Sequence, residues 1–241
     1  MPSGYNLQGI IRRNTVNALT QFERMGFYSE NISNWSTNAY KASRFEEILG
    51  ENGYASGVVR TDHTQGSIQV TKRELDVALD GPGFIPVTSP SGEIYYTRDG
   101  AFCLGKDGII MTQGGDIVGS GIKIGSDSVK TKIDKNGDVY TYKDLSKEPE
   151  YKGTIPVVTF DNPEGLKEVG DNKYIKTEIS GEEKLVVDHT RISQYSIERS
   201  NVDLFDHVNQ VMRVNASLLA STTLMAAVDD MYEKAINIRE S

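Results

Sequence analysis

The chain has 241 residues, 37% of them hydrophobic, and a formal net charge of -8. That length can build one sizeable core or two small ones, and the acidic balance argues against nucleic acid or an anionic membrane as main partner, since both need a basic face. Cys103 is the only cysteine, which excludes an internal disulfide and a cysteine-based zinc site. No unbroken run of 18 apolar residues occurs, so no ordinary membrane-spanning helix and no membrane insertion are expected. The first thirty residues lack the apolar stretch and small-residue cleavage site of a secretory signal.

Taken in chain order, residues 4–33 place Leu7, Ile10, Ile11, Ala18, Phe22, Met25, Tyr28 and Ile32 at helical spacing with no proline inside, which predicts a long amphipathic helix. Gly26 in its interior suggests a bend or a close contact. Residues 34–65 lose this periodicity and read as an irregular connector. From 66 to 196, short β-type runs such as LDVALD, FIPVT, EIYYT and GDVYTY alternate with turn signals including Asp99-Gly100, Asp107-Gly108 and Asn136-Gly137. Strands so short and closely spaced predict an antiparallel all-β region, sandwich-like or barrel-like.

From about residue 201 helical spacing returns. Leu204, Val208, Val211, Asn215, Leu218, Thr222, Met225, Asp229, Tyr232 and Ile236 follow alternating steps of three and four, with Asn201 or Asp203 as cap. A single helix cannot bury its own apolar stripe. The economical arrangement pairs the two terminal helices as a coiled coil, through Leu7, Ile11, Met25 and Ile32 on one side and Leu204, Val208, Val211, Leu218, Met225 and Tyr232 on the other. Asn14 and Gln21 would then add a polar element to the seam. The fold class expected is α+β: a helix and connector over 1–65, an all-β insert over 66–196, and a C-terminal helix over 197–241.

Several segments resemble the flagellar rod and hook protein family. Residues 31–41, NISNWSTNAYK, are similar to its N-terminal signature at Asn31, Asn34, Thr37 and Lys41, with Ala39 where the family has glycine. Alanine resists positive φ, so the turn expected there is placed in question. QGSIQVTKRELDVALDGPGFIPV at 65–87 carries Gly66, Asp76, Gly81, Gly83 and Phe84, and YTRDGAFCLGKDGIIMT at 96–112 carries Tyr96, Thr97, Arg98 and Gly100. IERSNVDL at 197–204, with Asn201, resembles the family's entry into the last helix. Arg98 is expected as a surface or structural ion-pair residue.

The resemblance implies a structural, non-enzymatic subunit of the basal-body rod. Such a subunit is exported by the flagellar secretion apparatus without a cleaved signal, spans the periplasm, and polymerises into a hollow helical tube that transmits torque to the hook. Its implied partners are further copies of itself, adjacent rod and hook proteins, and ring proteins around the rod. The length fits the distal rod protein or its shorter proximal paralogue, between which the sequence does not choose. A hook-type or accessory axial protein is the alternative within the family; a stalked ligand-binding or phage-tail-like module is the alternative outside it. The connector at 31–65 is expected to set rod against hook stiffness.

No catalytic, cofactor or metal site is expected. Asp134, Asn136 and Asp138 begin like a calcium loop that lacks its closing glutamate, and a β-turn accounts for them equally well. Asp188, His189 and Ser193 do not make a hydrolase triad, because adjacent Asp and His cannot easily aim an imidazole at a nearby serine.

Overall fold

A computed structural model describes residues 7–49, 55–144, 148–186 and 190–240. The fold is α+β, with long helices near both ends of the chain and antiparallel strands between them. It divides into two compact units. The first comprises Met1–Asn34, Ser43–Thr61 and Val202–Ser241; the second comprises Trp35–Ala42 and Asp62–Asn201.

The first unit holds helix α1 (Leu7–Ser33) and helix α2 (Leu204–Glu240). Asp203 caps α2: its carboxylate accepts hydrogen bonds from the amides of Phe205 at 3.0 Å and Asp206 at 3.1 Å. That satisfies two of the donors a helix start leaves open. Gly26 is exposed, and a side chain there would meet open space, so no close contact among the described residues accounts for it.

One difference from the sequence reading concerns the connector. Residues Ser43–Leu49 and Ala55–Thr61 form an antiparallel hairpin, with Phe45 opposite Val59. Adjacent Glu46 and Glu47 break the alternation in the first arm, so no period-2 signal survives there. The ring of Phe45 lies 5.7 Å from that of Phe27, and the Arg24 guanidinium 5.8 Å from its centre. The hairpin is thus held by α1 side chains.

The second unit is β-rich. Among the described residues its largest sheet has seven strands, in the order Lys167–Gly170, Lys173–Ile175, Ile94–Thr97, Ile85–Thr88, Ile117–Val118, Ile110–Met111 and Cys103–Leu104. A three-stranded sheet joins Lys130–Ile133, Asp138–Tyr142 and Glu150–Thr154. Two short ladders tie late strands to early ones: Arg191–Gln194 pairs with Val77–Asp80, and Ser196–Glu198 with Ile68–Val70. Alternation decides which side chains face inward. Ile85 and Val87 of the large sheet, Ile133 and Val139 of the small one, and Leu79 and Ile192 of a ladder share one buried core. A second cluster gathers Phe84, Tyr96, Phe160 and Tyr174, with the rings of Tyr96 and Phe160 edge-on at 4.8 Å.

The suspected calcium-loop residues form a hairpin turn. The Gly137 amide donates to the Asp134 carbonyl at 2.9 Å, and the Asp134 amide to the Asp138 carbonyl at 2.8 Å. Asp188 and His189 lie outside the described residues.

Candidate functional site

Two features concentrate the residues singled out in the sequence: a buried charge junction in the β-rich unit and apolar stripes along the two helices.

The junction is built around Glu198, at the end of the strand Ser196–Glu198. Its side chain is fully buried, and every hydrogen bond it makes is charge-assisted. Lys41 Nζ donates to Oε1 at 2.6 Å, the Gly66 amide donates to the same oxygen at 2.8 Å, and Arg98 Nε donates to Oε2 at 2.8 Å. Both cations also donate to backbone carbonyls. Lys41 Nζ reaches Thr64 at 2.6 Å; the two Arg98 Nη atoms reach Gly83 at 2.6 Å and Gly81 at 3.1 Å. Arg98 is therefore a core residue and not a surface one: a guanidinium offers five donors in a fixed fork, which suits a crowded polar pocket. Burial lowers the Lys41 pKa, with Arg98 reinforcing the shift and Glu198 opposing it.

Gly66 is required by close approach, since a Cβ there would lie 1.9 Å from the Arg199 carbonyl oxygen. Gly100 has the same constraint, 1.9 Å from the Val77 carbonyl oxygen. Asp76 is buried beside it, bridging Ala101. Phe84 and Tyr96 lie in the aromatic cluster, where burial pushes the Tyr96 phenol up to about 12. Thr97 and Thr37 line a polar cleft of about 380 Å³, in which Lys173 pairs with Asp116 at 3.1 Å.

His63 stands next to the junction, its ring edge-on to Phe84 at 5.6 Å and to Tyr174 at 5.4 Å. Neither ring nitrogen has a hydrogen-bond partner. Burial first, then the Lys41 and Arg98 charges, bring its pKa down to about 4, so the ring is neutral at pH 7.

Two asparagines hold the chain where it passes between units. Within the helical unit, Asn31 accepts from the Ser43 amide at 2.9 Å and donates to the Ser43 carbonyl at 2.8 Å. Within the β-rich unit, Asn201 accepts from the Ala42 amide at 2.7 Å and donates to the carbonyls of Asp62 at 2.8 Å and Thr64 at 3.1 Å. Asn34 donates to the Glu30 carbonyl at 3.0 Å and closes the end of α1. Ala39 adopts φ 56° despite its side chain, so the turn survives the loss of glycine. Its amide donates to the Glu198 carbonyl at 2.9 Å, a tertiary bond that opposes the cost of the left-handed conformation.

The helices carry heptad-spaced stripes. On α1, Asn14, Gln21 and Tyr28 are buried, and Ile11, Ala18, Met25 and Ile32 are half-buried. On α2, Val214, Ser221 and Val228 are buried, and Leu204, Val208, Val211, Leu218, Met225 and Tyr232 are half-buried. The described part of α1 includes Leu7 only as backbone. Asn14 Nδ2 donates to the Ser221 carbonyl at 2.8 Å, and the rings of Tyr28 and His207 lie 5.7 Å apart. Part of the α2 spacing read from sequence is turned by one residue: Asn215, Thr222 and Asp229 are exposed, and Val214, Ser221 and Val228 take the inner line. Two phases of the 3–4 pattern overlap on this helix, and the small Ser221 lets the Asn14 amide reach the backbone.

Glu198, His63 and Asn201's clamping role were missed from sequence. The signal for Glu198 was an acidic residue between Ile197 and Arg199 in a β-type run.

Residues 78–141, within the β-rich unit, match the family described as the flagellar hook protein FlgE/F/G D1 domain. A flagellar basal-body rod protein FlgG of Buchnera aphidicola subsp. Acyrthosiphon pisum is 30% identical, over 87% of this chain and 92% of its own length. Those of Caulobacter vibrioides and Bacillus subtilis are 28% and 25% identical, over 88% and 93% of this chain and 92% and 97% of their own lengths. The chain belongs to the flagellar basal-body rod protein family.

Proposed function

We propose that the protein is a structural subunit of the flagellar basal-body rod, polymerising into a hollow helical tube that transmits torque to the hook. The observation that carries this reading is the second apolar face of α2. Phe205, Met212 and Leu219 recur every seven residues and are 82%, 63% and 69% exposed. Phe205 lies two residues before His207, roughly 200° around the helix from the inner line. A helix apolar on opposite sides needs partners on both.

α1 supplies the first partner, as an antiparallel coiled coil whose seam includes Asn14 and Gln21. Further copies, or adjacent rod and hook proteins, supply the second. Within Leu204–Lys234 a stretch of 18 residues reaches a mean hydropathy of 1.3, which meets the length and composition of a membrane span although no unbroken apolar run is present. In this reading that surface packs against protein. Repeated heterologous contacts generate an open helical array, and ordering of the helices on docking offsets their entropy. In this reading the subunit works in the basal body, with ring proteins around it. The domain model matched at 78–141 is shared with the hook protein, so the hook side is the second reading.

The test is electron microscopy of basal bodies from cells lacking the gene. The expected result is a truncated rod without a hook, restored by the intact gene but not by one lacking residues 220–241. A complete rod lacking only its hook would move the protein to the hook side, and fully assembled structures would remove the axial role.

A further inference from the structure

The chain passes between its two units four times, after residues 34, 42, 61 and 201. A covalent crossing alone is a soft link, because its φ and ψ rotate freely. On the β-rich side three of these chain ends are tied to one another. The Asp62 amide donates to the Ala42 carbonyl at 2.8 Å, and the Arg199 amide to the Ser67 carbonyl at 2.8 Å. Asn201 then spans all three, with its oxygen on Ala42 and its nitrogen on Asp62 and Thr64. Three residues earlier, Glu198 gathers Lys41 and Gly66 from the same two segments. An amide side chain accepts at its oxygen and donates twice from its nitrogen, which suits this meeting of one backbone amide and several carbonyls. Because its bonds to Ala42 and Asp62 go to backbone, the tie does not depend on the side chains there.

We propose that Asn201 and Glu198 form a clasp that binds the ends of the β-rich unit's crossings into one rigid anchor. Load entering through any of these segments is shared by the others, and the directions in which residues 42, 62 and 201 leave the unit are fixed together. The mechanical consequence rests on the rod reading. The clasp itself does not.

Hydrogen exchange on the full-length protein tests it. In Asn201→Ala, the amides of Ala42 and Asp62 should exchange at least tenfold faster than in the parent protein. Amides of the strands Val77–Asp80 and Ile85–Thr88 should stay within twofold. Asn201→Asp keeps the acceptor for the Ala42 amide and loses the donors to the Asp62 and Thr64 carbonyls, so it should protect the Ala42 amide better than Asn201→Ala does; it also serves if the alanine variant does not fold. Unchanged exchange at Ala42 and Asp62, or an equal rise in the core strands, would overturn the clasp. In cells, rods built from Asn201→Ala should show a severalfold rise in torsional compliance by tethered-cell measurement, and unaltered compliance would overturn the load-sharing role. A protein absent from basal bodies would refute the rod reading and leave the exchange result standing.

Discussion

Glu198 balances two buried cations with one carboxylate, so the substitutions around it should rank by the charge they leave behind. Glu198→Gln preserves shape but strands Lys41 and Arg98 together, at a cost of about 3–5 kcal/mol. Lys41→Met leaves a one-to-one pair with Arg98 and should cost less. Urea unfolding of the full chain at pH 7 reads both, and the reverse order would refute the assignment of Glu198 as hub. His63 gives the junction a pH dependence. Its folded pKa of about 4 lies below the ordinary value of 6.5, so between these limits the unfolded chain binds more protons. Its contribution is complete above pH 6.5 and is lost as pH falls toward 4, on the order of 3 kcal/mol. The charged groups acting on it are Lys41 and Arg98, which disfavour protonation, and Asp62 and Glu164, which favour it. His63→Phe should flatten this part of the stability curve, as measured by urea midpoints from pH 4 to pH 7.

At the scale of elements, the helices were legible because hydrophobic spacing of 3.6 survives without knowledge of the partner. Their phase was not. On α2, Val208 and Val211 belong to one reading of the stripe and Val214 and Val228 to the other; the Asn14–Ser221 and Tyr28–His207 contacts choose between them. The hairpin at Ser43–Thr61 was hidden by Glu46 and Glu47, whose charges suit an exposed strand but erase alternation. The phase makes a sharp prediction. Val214→Asp and Leu219→Asp should both abolish polymerisation, because each charges an apolar face. Circular dichroism of the unassembled protein should show lost helix only for Val214→Asp. Equal loss in both would mean that the two faces are not distinct.

For the whole molecule, the order of the motifs revealed the all-β middle and the family, since Gly66, Gly81, Gly83 and Gly100 mark turns and close approaches that depend on local sequence. What sequence could not show was where the units divide, because that boundary falls inside the N-terminal signature. Asn31 and Asn34 serve the helical unit, whereas Lys41 reaches into the β-rich one. Replacing residues 44–60 by a short Gly/Ser linker should therefore leave the unfolding free energy of the β-rich unit, measured in urea, unchanged to within about 0.5 kcal/mol. A larger fall would show that the hairpin supports that unit. The junction also has a temporal side. Lys41 waits 157 residues for Glu198, and Ala42 waits 159 for Asn201. A chain made N-terminus first leaves the bonds to Glu198 and Asn201 open until its last fifth appears, and contacts so distant in sequence form late. The lock closes only once Glu198 and Asn201 are present, so this part of the β-rich unit is among the last to set.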